Sequence, residues 1–168
     1  WANSLKAKGR SMHTPSIEDI SLALGSSWAS GINLYATVFL LGVFANGGYI
    51  DLPQPLEYLQ SPLVISVAGV LCLVQFFADK IPGIDSIWDG INTFIRIPAG
   101  AVLASQAIAG NSPDLQFAAG MIGAAVATGT HATKATARVA INTSPEPFSN
   151  IVSSLSGDML VIGGLWSA

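Results

Sequence analysis

Residues 20–44 form a run of 25 without one charged side chain, and residues 61–78 form an uncharged run of 18. Each is near the roughly 20 residues with which an α-helix crosses the hydrocarbon of a bilayer. Three further segments share the character less strongly. Residues 91–110 hold Arg96 and Pro98, residues 115–133 are rich in Gly and Ala, and residues 148–168 carry one acid, Asp158. Pro53, Pro55, Pro82, Pro113, Pro145 and Pro147 all fall in the connections, where a missing backbone N–H costs little.

Only 10% of the 168 residues are Asp, Glu, Lys or Arg, against about 25% in a soluble domain. So few charges cannot cover a surface that faces water. The expected fold is an all-α, polytopic membrane bundle of about five spans. Its domain organisation is a basic flank over residues 1–16 and a single membrane domain over residues 17–168. With Trp1 in place of Met, the chain is expected to be processed, trimmed or only partly represented.

Putting the N-terminus inside and alternating the five spans brings all seven basic residues to one side: Lys6, Lys8, Arg10, Lys80, Arg96, Lys134 and Arg138. That satisfies the positive-inside rule. The expected location is a bacterial inner membrane or a plastid membrane, with the N-terminus on the cytoplasmic or stromal side. The net charge of −3 and the lack of a basic stripe leave no nucleic-acid partner. Cys72 stands alone, which excludes an internal disulfide.

The segment from Gly25 to Asn33 and that from Gly123 to His131 share the pattern G-x-x-x-A-(S/T)-G-x-(N/H). Pro53 and Pro55 have a counterpart in Pro145 and Pro147, each P-x-P leading into the next apolar segment. With three spans between the copies, the expectation is an inverted repeat, one copy over about residues 20–110 and the other over about 115–168. The small residues Gly25, Ala29, Gly123 and Ala127 are expected to pack the copies together.

Polar groups at membrane depth mark candidate sites, because each needs a partner, a proton or a wet cavity. Asn33, His131 and Asp158 qualify. His131, Lys134 and Arg138 recur at i, i+3, i+7 and so share a helix face. The plainer expectation for Lys134 and Arg138 is a pair of anchors snorkelling to the inner interface. The other is that His131, Lys134 and Arg138 form a cationic lining for an anionic solute or lipid headgroup; Asn33, His131, Asp158 and Lys134 are the candidate solute-pathway or buried polar residues. The stretch 79–96 holds Asp79, Asp85, Asp89 and Arg96 and reads as an ion-paired elbow, with Arg96 bound to Asp85 or Asp89. A divalent-cation site would need more oxygen ligands in a fixed loop, so none is expected. No G-x-S-x-G, H-E-x-x-H, phosphate-binding loop or Cys/His cluster occurs. An enzyme is therefore not expected, nor a cofactor.

Over residues 21–168 the sequence resembles an uncharacterised, mainly bacterial membrane-protein family, domain of unknown function number 4126. The resemblance rests on the segments 27–36, 79–89, 96–101 and 142–150. It implies a multi-span membrane protein, with further apolar chain after Ala168, and supplies no activity. The functional expectation is a transporter-like or channel-like protein for a small solute, ion or lipid headgroup. The alternative is a non-catalytic structural subunit of a larger membrane (bioenergetic) complex. Membrane lipids are the expected partners, together with a homo-oligomer or that larger complex.

Overall fold

The computed structural model describes residues 14–81, 84–142 and 147–167; within these, the side chains of Ser86 and of residues 141, 142 and 147–151 are not described. Lys6, Lys8, Arg10, His13, the Pro82–Gly83 pair, Pro145 and Ala168 lie outside the described residues. All regular structure among the described residues is helical: α1 Ile17–Asn46, a 3-10 helix Gln54–Gln60, α2 Pro62–Ala78, α3 Ile84–Ala107, α4 Pro113–Asn142 and α5 Pro147–Ser167.

The ends follow from local chemistry. Ser16 caps α1 by accepting the Asp19 N–H at 3.0 Å, and the Asp19 carboxylate accepts the Ser16 N–H at 2.9 Å. This capping box satisfies two otherwise orphaned donors. Ser61 caps α2 just ahead of Pro62, whose fixed φ suits the first helical position. Gly110, at φ +101°, makes the left-handed turn between α3 and α4. α3 begins at Ile84 rather than near residue 91, and α4 runs on to Asn142 instead of stopping near Thr133. Residues 134–142 contain no breaker, and Lys134 and Arg138 find partners inside the bundle, so neither charge ends the helix.

Among the described residues, by length and composition α1 alone suffices to cross a membrane, and the 3-10 helix with α2 passes as a pair bent by 66°. Yet α1 is not straight. Asn33 has φ −150° and ψ 95°, extended values that interrupt the helix. Glu18, Asp19, Leu22 and Ser26 line the same cavity as Leu41, Phe44 and Tyr49. In a straight helix Asp19 and Phe44 would be about 38 Å apart at the usual rise. α1 therefore doubles back at Asn33 into a hairpin, whose arms of about 24 and 20 Å are each shorter than a bilayer's hydrocarbon core of about 30 Å.

This hairpin corrects the expected layout. Ile17, the turn after Asn46 and the end of α5 gather at one end of the bundle, where Phe44, Tyr49 and Trp166 pack together. Lys80 lies at the other end, after α2. The first described residues therefore share an end with the 46–60 connection, opposite the end that holds Lys80. The inverted repeat fails for the same reason. Ser27 meets Gly123, Gly31 meets Ala127 and Thr130, and Ile32 meets Lys134, so both numbers rise together and the two segments run in the same direction. α2 and α5 nonetheless run oppositely, because the first copy reverses at Asn33 and the second does not.

α1 lies at the centre, in contact with every other helix, and α3 and α4 form the most extensive pair. The expected small-residue packing holds at Ala29, Gly123 and Ala127. A Cβ on Gly123 would lie 2.5 Å from Ala104 Cβ and 2.6 Å from the Gly100 carbonyl. Ala29 and Ala127 are fully buried.

Polarity is arranged inside out. Arg96 is 0% exposed, and Asp79, Asp85, Asp89, His131 and Arg138 are all buried. Phe94 is 83% exposed, Leu63 73% and Phe117 71%, and the outer faces of α2 and α5 carry further large apolar side chains. In water this would forgo hydrophobic burial and desolvate the charges as well.

Candidate functional site

The site is assembled at the helix break. Interrupting α1 leaves carbonyls of the first arm and N–H groups of the second without their usual partners. The Asn33 side chain caps the second arm, its Oδ1 accepting the Ala36 N–H at 3.0 Å, and the Thr37 hydroxyl donates to the Asn33 carbonyl at 2.8 Å. The first arm is closed from another helix: Lys134 Nζ donates to the Ile32 carbonyl at 3.0 Å. A cation at a helix C-terminus also complements the dipole. Asn33 then uses its remaining group outward, Nδ2 donating to Asp158 Oδ1 at 3.1 Å.

Around this tip the two residue sets expected from sequence merge into one. Lys134 Nζ is 3.5 Å from Asp79 Oδ2. Arg138 Nη1 lies 3.1 Å from Asp79, 2.8 Å from Asp89 and 4.0 Å from Asp85. Arg96 Nη1 donates to Asp89 Oδ1 at 3.0 Å and approaches His131 Nδ1 at 3.3 Å. Three carboxylates thus face three cations, which is how a low-dielectric interior tolerates them. Lys134 and Arg138 are not snorkelling anchors: their acidic partners lie inside the bundle, and Arg138 is buried. Among the described residues no group of three His, Cys, Asp or Glu is placed to hold a metal ion.

The hydrogen bonds assign the His131 tautomer. The Thr93 hydroxyl donates to the Asp89 carbonyl at 2.8 Å, so toward His131 Nε2, at 2.6 Å, it accepts. Nε2 therefore carries the proton, and Nδ1 accepts from Arg96. His131 is neutral in this arrangement. At the edge of the cluster, burial alone would raise the Asp79 pKa, but Lys134 and Arg138 more than offset it and hold the carboxyl below its ordinary range.

Arg138, singled out by the helix face it shares with His131, bridges the acids. Two side chains here, Thr93 and Gln75, were not singled out from sequence. Thr93 fixes the histidine tautomer. Gln75 is the only large polar residue in the run 61–78; it is fully buried, with both side-chain amide atoms unpartnered. Gly42 abuts Ile65 and Gly69 abuts Phe39, so the second arm and α2 run antiparallel in a register that carries Gln75 to the level of Asn33. On α3, Gly100 meets Ser30 while Asn92 accepts from Tyr35 Oη at 2.8 Å. Arg96, midway between them, is level with the tip too.

A cavity of about 650 Å³ opens between the hairpin arms at the Asp51 end. Glu18, Asp19 and Asp51 stand in its wall, and Ser26 and Leu41 mark its inner part, two helical turns short of Asn33.

Residues 20–168 match the model of a family described as Domain of unknown function (DUF4126). No curated protein and no solved structure matches the chain.

Proposed function

This chain belongs to the family described as Domain of unknown function (DUF4126), and we propose that it is a membrane protein with transporter-like or channel-like action on a small solute, ion or lipid headgroup. One observation carries the reading: a broken helix whose tip lies deep in the bundle, surrounded by buried charges, in a molecule whose exterior is apolar. Non-helical backbone at membrane depth is tolerated where protein or a wet cavity satisfies it. Discontinuous helices of this kind build the central sites of many transporters. On this reading α3, α4, α5 and the bent pair of the 3-10 helix with α2 cross the bilayer, and the α1 hairpin enters and leaves by one face. Because fold alone does not establish function, the reading rests on the site. A cavity opens between the arms at the Asp51 end and stops two helical turns short of Asn33, and Asp158 stands at the tip through its bond to Asn33.

Asp158→Asn tests it. The amide keeps the size of the side chain and removes the charge. In reconstituted vesicles the variant should fold and lose flux; unchanged flux would remove Asp158 from the mechanism.

A second reading, a non-catalytic subunit of a larger complex, is favoured by the outer face of α4. Ala125, Gly129, Ala132 and Thr136 are exposed there, and nothing described lies within 4 Å of a Cβ placed on Gly129. Such a face suits close approach of another helix. Sizing the particle extracted from native membranes separates the readings, since a free monomer or homodimer is incompatible with the larger complex.

A further inference from the structure

We infer that the hairpin tip binds a small monovalent oxyanion in the side-on fork of Arg96; this rests on the proposed function and gives its solute a chemical class. Arg96 is 0% exposed, yet only Nη1 is engaged, by Asp89 and His131, while Nε and Nη2 have no partner. These are not two arbitrary nitrogens. The Nε–H and the adjacent Nη2–H point the same way, and that edge accepts two oxygens of one carboxylate-like group. A buried guanidinium with an unused bidentate edge is costly unless an acceptor meets it.

The surroundings narrow the ligand. Neutral His131 gives its lone pair to Arg96, so it adds no competing positive charge. Asp89 is divided, Oδ1 to Arg96 and Oδ2 to Arg138, so it does not close the Arg96 fork. The three cations are already matched by three carboxylates, and Asp158 stands beside the tip, so a bound anion with one negative charge costs less than one with two. Gln75, level with the tip along the bundle and fully buried, is a second polar side chain with an unpartnered amide. The second arm of α1 begins there as well, with the positive end of its dipole. The three carboxylates in the wall of the cavity disfavour anion entry from the Asp51 end. Lys134 and Arg138 lie toward the Lys80 end, which makes that the approach for an anion.

The test uses the full chain in detergent micelles, titrated with sodium formate or sodium nitrate at constant ionic strength, with chloride as the control. Thermal stability and tryptophan fluorescence should respond saturably to formate and nitrate, with half-saturation at least ten-fold lower than for chloride. Arg96→Lys keeps the charge and loses the fork, and should weaken formate at least ten-fold. Gln75→Leu preserves shape and should weaken it several-fold, deciding the matter alone if Arg96→Lys does not fold. No saturable response in the wild type, or formate binding unchanged in both variants, would overturn the inference; buried water alone on the Arg96 edge gives that result. Formate binding without Asp158-dependent flux would leave the site standing and remove the transport reading. Asp158-dependent flux of another solute, in a protein that does not bind formate, would do the reverse.

Discussion

Asn33 does three things with one side chain: it breaks α1, caps the second arm and reaches Asp158. Asn33→Ala should therefore lower stability by about 1–2 kcal/mol, the scale of a lost N-cap, read as a fall in Tm in detergent. Asn33→Ser keeps a capping oxygen and should recover most of that loss, while the contact with Asp158 stays broken. Lys134→Met strips the Ile32 carbonyl and one side of Asp79 together. Its cost should be up to about 3 kcal/mol, the low end for breaking a buried pair, because Asp79 keeps Arg138. Asp79 also ties stability to pH. Its folded pKa lies below the unfolded value, so its contribution is complete above about pH 4 and is lost as pH falls through the lower folded pKa. Between pH 5 and 3 the wild type should lose Tm faster than Asp79→Asn. Parallel curves would mean that the pairing contributes nothing.

At the scale of elements, the small-residue seam between α1, α3 and α4 decides how closely the hairpin approaches its neighbours. Gly123→Ala places a methyl against the Gly100 backbone, which cannot swing aside as a side chain would. Overpacking of this kind costs about 1–3 kcal/mol, whereas Gly129→Ala, facing open space, should leave Tm within error. Positions of most helices were legible from uncharged runs bounded by proline. The reversal in α1 was not, because hydropathy records composition and not direction: Asn33 in the middle of 25 uncharged residues was its only mark. The site was legible in part. Asn33, His131, Asp158 and the elbow residues stood out as polar groups in apolar sequence. Their union did not, since it depends on α4 continuing beyond Thr133 and turning Lys134 and Arg138 inward.

For the whole molecule, buried charges inside an exterior rich in exposed apolar side chains are the observation that supports the proposed membrane placement. The proposed placement has four crossings and a hairpin that enters and leaves by the same face. Single cysteines at Ser16, Gly48 and Lys80, in a background with Cys72 replaced by Ala, test it most directly. In sealed, oriented vesicles an impermeant maleimide should label Ser16→Cys and Gly48→Cys from one side and Lys80→Cys only from the other. Labelling of Ser16→Cys and Gly48→Cys from opposite sides would make α1 a simple span and contradict the hairpin on which the site is built.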